Sequence, residues 1–215
     1  MIEDIKSRLL QPIDVHGGLT LIDRDRLDNL QECIAIVLSE GIQGDLLEAG
    51  VWRGGASILM KIVLNDYKDY AKKLFMFDTF NGFGVEDVQF IHDQDGFERA
   101  KYLSVNKETV ISNMKKFSAF DERVILVEGK IEDTLLPYLT SSQIFSVIRL
   151  DTDRYASTYF ELEHLYPSLS SGGFVIIDDY YAHAGSQNAT NDFRINFGVD
   201  ALMTCVSSSI WWRKP

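Results

Sequence analysis

The chain of 215 residues carries a net charge of −11 at 46% hydrophobic and 25% charged residues, ordinary globular values for one domain that can bury roughly 70% of its unfolded surface. Its acidity argues against a general phosphate-backbone binder, which needs a basic face, but not against a nucleotide-like cofactor held by a local site. No apolar run approaches the roughly 18 residues of a membrane span, and the N-terminus lacks a basic-then-apolar signal pattern, so a cytoplasmic protein with no nucleic-acid or membrane partner is expected. Cys33 and Cys205 sit in apolar segments without metal or disulfide spacing and read as buried core thiols.

The chain opens on a mixed-charge helix candidate, Ile2 to Leu10, interrupted by Pro12 and Gly17-Gly18. From Leu21 to Ser39 the residues Leu27, Leu30, Ile34, Val37 and Leu38 recur at helical spacing, an amphipathic helix that packs on its own domain or across a homo-oligomer. Residues 1–43 therefore read as a helical extension or cap, and 44–215 as the main domain.

The first strand, Asp45 to Gly50, opens the run Glu48-Ala49-Gly50-Val51-Trp52-Arg53-Gly54-Gly55-Ala56-Ser57. A strand ending in Glu-x-Gly, then Gly-Gly, then a helix makes a sharp turn where backbone can approach a ligand and a helix N-terminus offers free N–H donors. The turn is not GxGxxG, and Glu48 suits an ammonium-bearing zwitterion better than a pyrophosphate; a glycine-rich turn with no ligand is the alternative. Strand two, Lys73 to Asp78, ends in a carboxylate of the kind that accepts hydrogen bonds from ribose hydroxyls. The polar, aromatic-dotted stretch from Gly82 to Phe97 reads as a loop that either covers a site or is simply disordered. His92 within it reads as a solvated loop residue rather than a catalytic one.

A helix over Lys107–Phe117, strand three over Arg123–Gly129 and a helix from Asp133 follow. Strand four, Phe145 to Leu150, closes on Asp151-Thr152-Asp153; a helix from Ala156 to Leu165 leads to strand five, Gly173 to Ile177, which closes on Asp178-Asp179. Parallel strands joined this way put their carboxyl ends on one edge of the sheet, where open α/β folds bind ligands. Four carboxylates there repel one another unless protonated or neutralised, and an all-oxygen set suits a hard divalent ion such as magnesium. Two strands that happen to end in solvated aspartates are the alternative. A helix over Gln187–Phe197 and an antiparallel hairpin of Val199–Cys205 with Ser209–Arg213, cored by Trp211-Trp212, complete a doubly wound, mostly parallel α/β fold.

The Glu-x-Gly-Val-Trp-Arg-Gly-Gly turn, the Asp78-x-Phe80-x-Gly82 loop and Leu150-Asp151-x-Asp153-x-Tyr155-x-Ser157-Thr158 resemble the macrocin O-methyltransferase family. Gly172-Gly173-Phe174-Val175-Ile176-x-Asp178-Asp179-Tyr180, Ala189-x-x-x-Phe193-Arg194 and the Trp211-Trp212-Arg213 tail extend that resemblance from about Leu21 to the C-terminus. It implies a class I, Rossmann-like methyltransferase that uses S-adenosylmethionine and magnesium to methylate a sugar hydroxyl on a natural product, an antibiotic being typical. Carried over, it places Glu48 and Gly50 at the methionine end of the donor, Asp78 on the ribose and Glu128-Gly129 near the adenine. Trp52, Arg53, Gly54, Thr79, Phe80 and Asp151 complete the cofactor-binding set. The metal ligands would be Asp151, Asp178 and Asp179, and Asp153 the general base.

Departures from the family pattern fall on the acceptor side. Gln187 stands where a basic residue is usual, Thr190 follows Ala189, and the 82–97 stretch is acidic (Glu86, Asp87, Asp93, Asp95) with no proline after Gly82. Two other classes remain open on residues alone: a non-catalytic S-adenosylmethionine-binding module, and a nicotinamide-dependent oxidoreductase, against which the absent GxGxxG argues.

Overall fold

The elements that periodicity predicts form largely where expected. In the computed structural model, which describes residues 2–14, 17–82, 102–139 and 142–215, the described residues make seven helices and one seven-stranded sheet. Helix α1 spans Ile2–Leu10 and α2 spans Arg24–Ser39. Asp23 is the N-cap of α2, its carboxylate accepting from the Arg26 N–H at 3.0 Å, which starts the helix three residues later than the apolar spacing alone predicts. Then follow β1 (Asp45–Ala49), α3 (Gly55–Asp66), β2 (Leu74–Asp78), α4 (Lys107–Lys116), β3 (Val124–Glu128) and α5 (Ile131–Tyr138). The chain continues through β4 (Phe145–Leu150), α6 (Tyr155–Leu165), β5 (Leu169–Ile177), α7 (Ala184–Asn196), β6 (Thr204–Val206) and β7 (Ser209–Arg213).

The strands lie in the order β3-β2-β1-β4-β5-β7-β6. The first five pair in parallel and β7 runs antiparallel to both β5 and β6. Strand order reverses between β1 and β4, so a crevice opens beyond their carboxyl ends. One core layer is built from α1, α2, α3 and α4 on the face that carries Leu46, Met76, Val147 and Ile176. The other is built from α5, α6 and α7 on the face that carries Leu47, Phe75, Ile148, Val175 and Trp212. The N-terminal helices thus share one continuous apolar layer with the sheet.

Some boundaries differ from expectation. Strand β5 begins at Leu169, before Gly173, because Leu169 already pairs with Phe145 ahead of a register shift, while Ser171 is exposed and Ser170 and Gly172 are half-buried. Residues 199–203 are not strand; the Ala201 carbonyl accepts from the Arg194 guanidinium at 2.6 Å instead of entering a ladder. Trp212 is fully buried and Trp211 packs at the edge of the other layer, as their aromatic bulk suggests. Cys33 is buried, and desolvation pushes its thiol up to about 12. Cys205 corrects the expectation of a core thiol: it is exposed on the short edge strand β6, beside the Tyr181 hydroxyl at 3.1 Å. Among the described residues no helix is long and apolar enough to cross a membrane. Most of the 82–97 loop, with His92, lies outside the described residues.

Candidate active site

The carboxyl ends of β1, β2, β4 and β5 line one cavity of about 670 Å³, within the size range of small-molecule sites. Side chains alternate across a strand, so Glu48, Arg149, Asp151 and Asp178 fall on the face that also carries Leu46, Val147 and Ile176, beneath α2 and α3. Glu48 and Arg149 are direct register partners on adjacent strands. The Arg149 guanidinium, 2% exposed, meets Glu48 Oε1 at 2.7 Å, Asp151 Oδ2 at 3.0 Å and Asp178 Oδ1 at 2.8 Å. Ser57 of α3 donates to the other Glu48 oxygen, and burial still holds the Glu48 carboxyl above its ordinary range. Desolvation, and next the charge of Asp178, push the Asp151 carboxyl well above its usual range.

The glycine turn is tighter than a ligand cradle alone requires. Gly50 has φ +84°, and a Cβ there would run into the Asp151 carbonyl, so β1 and β4 can close on each other only at glycine. Asp78 fastens this turn: its Oδ2 accepts from Val51 N–H at 2.6 Å and Trp52 N–H at 3.1 Å, and its Oδ1 from Phe80 N–H at 2.8 Å. The N-terminus of α3 is less open than expected, because Gly55 N–H donates to the Leu19 carbonyl at 3.0 Å. Leu19, Thr20, Leu21 and Ile22 line the cavity, a contribution from the N-terminal segment for which the sequence carries no signal.

Of the expected donor-binding residues, Glu48, Gly50, Trp52, Asp78, Thr79, Gly129 and Asp151 line the cavity. Arg53, Gly54, Phe80 and Glu128 do not. The Arg53 guanidinium turns away to Asp14 at 2.6 Å and to the carbonyls of Gly17 and Gly18, tying down the segment before α2. Gly54 abuts Val110 of α4, Phe80 is buried in the core, and Glu128 points outward toward Lys107 at 3.8 Å. Each follows its own chemistry: a long cation finds carbonyls, an apolar ring the core, an acid at the end of the outermost strand the solvent.

Asp151, Asp178 and Asp179 each bring one oxygen to within 4.8 Å of the others. That all-oxygen set fits a hard divalent cation. A standing cation already occupies part of it: Arg26 of α2 places Nη1 2.9 Å from Asp178 Oδ2 and 3.4 Å from Asp179 Oδ1. Asp153 leaves the strand path at φ +64°, and its Oδ2 faces His183 Nε2 at 3.7 Å. His183 Nε2 is also 3.8 Å from Asp179 Oδ2, so these three residues form a second group whose polar atoms converge. Neither Arg26 nor His183 is marked by any sequence motif. Arg149 is: a lone charge inside Phe-Ser-Val-Ile-Arg-Leu must find buried partners.

Behind the Asp151–Asp153 turn, the Thr152 hydroxyl donates to Glu161 Oε2 at 3.0 Å, and Glu161 is fully buried on α6. Burial pushes its carboxyl well above the usual range. The folded chain therefore keeps a proton that the unfolded chain gives up near its ordinary value of about 4.3, and stability falls as pH rises from there through the raised folded value. Glu161→Gln has no such proton to lose. It is expected to flatten this part of the profile and to be more stable than the native chain at neutral pH by on the order of 1 kcal/mol. Urea unfolding of both proteins at about pH 5 and about pH 8 checks this, and an identical difference at both pH values would refute it.

The sequence model of one family, described as Macrocin-O-methyltransferase (TylF), matches residues 11–214. The chain is 38% identical over 203 residues to the 8-demethyl-8-(2,3-dimethoxy-alpha-L-rhamnosyl)-tetracenomycin-C 4'-O-methyltransferase of Streptomyces olivaceus, covering 90% of this chain and 75% of that one. It is 33% identical to the demethyldecarbamoylnovobiocin O-methyltransferase of Streptomyces niveus over 213 residues, 94% of this chain and 77% of the relative. The solved structure of the O-methyltransferase NovP superposes with a TM-score of 0.89 at 28% identity, covering 99% of this chain and 97% of that chain.

Proposed function

Because the chain belongs to the macrocin O-methyltransferase family and is an S-adenosylmethionine-dependent O-methyltransferase, we propose that it methylates a hydroxyl of a glycosylated natural product, with magnesium held by Asp151, Asp178 and Asp179 and with Asp153 as general base. The observation that carries this reading is the convergence of the three carboxylates in the lining of the cavity, with Asp153 beside them on a positive-φ turn and grouped with Asp179 and His183. One relative is named for a rhamnosyl tetracenomycin, and an acceptor of that sugar-bearing class is the one proposed here.

Magnesium, when bound, lowers the pKa of a neighbouring hydroxyl and helps to orient it. The chain's own residues supply the rest. Gly50 and Asp78 line the cavity and are assigned to the donor side, with Asp78, whose oxygens also accept from the turn's amides, as the residue for the ribose hydroxyls. Asp153 takes the acceptor hydroxyl proton while the oxygen attacks the sulfonium methyl; the carbon–sulfur bond breaks and its electron pair stays on sulfur, leaving a neutral thioether. A cationic donor that becomes neutral gains little from a strong electrostatic field, so most of the residues' work is alignment of oxygen, carbon and sulfur.

The test is a labelled methyl donor offered with a panel of glycosylated natural products, their aglycones and catechols. Label is expected on a sugar hydroxyl, lost on chelation with EDTA and restored by magnesium. Turnover undiminished by chelation would remove the metal from the scheme, and label on aglycones alone would remove the sugar.

A further inference from the structure

Two guanidinium groups compensate the carboxylates at this edge of the sheet, and they are held in different ways. Arg149 is built into the middle of β4 and enclosed by Glu48, Asp151 and Asp178. Arg26 arrives from another layer, the first turn of α2, and lines the cavity. Its backbone N–H donates to Asp23, the N-cap, its Nε meets Asp23 Oδ2 at 3.3 Å, and its Nη2 donates to the Leu21 carbonyl at 3.4 Å. Those bonds aim the remaining nitrogen, Nη1, at Asp178 Oδ2 and Asp179 Oδ1. Asp178 Oδ1 is already engaged by Arg149 and by the Ser209 hydroxyl, so Oδ2 is the oxygen left for a further cation. The Arg26 side chain is 13% exposed and that of Asp178 3%, so their attraction is only weakly screened by solvent.

We infer that Arg26 is the resident counter-cation of the Asp178–Asp179 pair and is exchanged for the divalent ion. The inference rests on the magnesium reading above and extends it to a residue outside the ligand set. Both cations need the same oxygen of Asp178, and a guanidinium beside a divalent ion is repelled by it. In the ion's absence Arg26 offsets the repulsion between the two aspartates. Its displacement is therefore part of the free energy of metal binding, and Arg26 sets the affinity of a site it does not ligate. It also links that site to the 19–22 segment, which α3 holds at its other end through the Gly55–Leu19 bond.

Titration of Mn²⁺ into the full chain by calorimetry, without donor or acceptor, tests this on three proteins. Arg26→Gln, which loses the charge, is expected to bind Mn²⁺ about tenfold more tightly than the native chain. Arg26→Lys, which keeps the charge, is expected to stay within about threefold of the native affinity, since a lysine is a poorer fork but still a cation. In the native chain the side-chain N–H resonance of Arg26, identified by its loss in Arg26→Lys, is expected to shift when Mg²⁺ is added. Equal or weaker Mn²⁺ affinity in Arg26→Gln, with native binding intact, would overturn the exchange and leave the magnesium reading standing. An unmoved Arg26 resonance in the metal-saturated native chain would do the same. A folded native chain that binds no divalent ion would overturn both.

Discussion

Asp153→Asn is expected to bind S-adenosylmethionine as the native chain does and to lose about 10²- to 10⁴-fold in kcat, the usual worth of a positioned general base. The substitution is well matched to its backbone. Asp153 sits at φ +64°, a left-handed conformation that asparagine adopts readily, whereas alanine there would add roughly 1–2 kcal/mol of strain. The turn is also wedged against the start of α7, where a Cβ on Gly185 would lie 2.8 Å from the Asp153 carbonyl oxygen, so changes of backbone would spread. Asparagine keeps shape and removes only the proton acceptor. Initial rates with a labelled donor and calorimetry with S-adenosylhomocysteine separate the two effects; a kcat within tenfold of native would take the base role from Asp153.

Arg149→Met should cost about 3–5 kcal/mol of folding stability, the range found when one partner of a buried ion cluster is removed. Methionine fills much of the same volume and leaves Glu48, Asp151 and Asp178 facing one another without their shared cation. Much of the cost is the burial of uncompensated carboxylates rather than the loss of a favourable bond, so it should fall when one of them is also neutralised. Glu48→Gln in the same chain is expected to recover part of it, a coupling that a double-mutant cycle measures by urea unfolding. Strictly additive losses would show that Arg149 and Glu48 do not act as a unit. The site depends on this arginine for the same reason: the shape of the carboxylate edge is set by what neutralises it from below.

Much of the architecture was legible in the chain. Short apolar runs alternating with helical spacing located the five parallel strands, and carboxylates at the ends of β2, β4 and β5 marked the ligand edge. The family assignment removes the nicotinamide alternative that those features left open. Arg53 falls outside the cavity lining because its motif position says nothing about where a long, flexible side chain ends; the carbonyls of Gly17 and Gly18 claimed it. Cys205 was misread because apolar neighbours in sequence do not reveal that β6 lies at the outer edge of the sheet.

The sequence by itself determined the elements, the glycine turn at Gly50 and the carboxylates at the strand ends, because backbone propensity, chain-local periodicity and positive-φ turns are short-range properties. Tertiary structure decided which charges meet. Arg26 and Asp178 stand 152 residues apart, Glu48 and Arg149 101 apart, and only sheet order, register and the seating of α2 over the sheet bring them within hydrogen-bond reach. Attraction between such groups decays over ångströms of space and carries no trace of their separation along the chain. The carboxylate edge could therefore be read from the strand ends and Arg149 suspected from its apolar strand, while the partners of Arg149, and Arg26 altogether, could be found only in the fold.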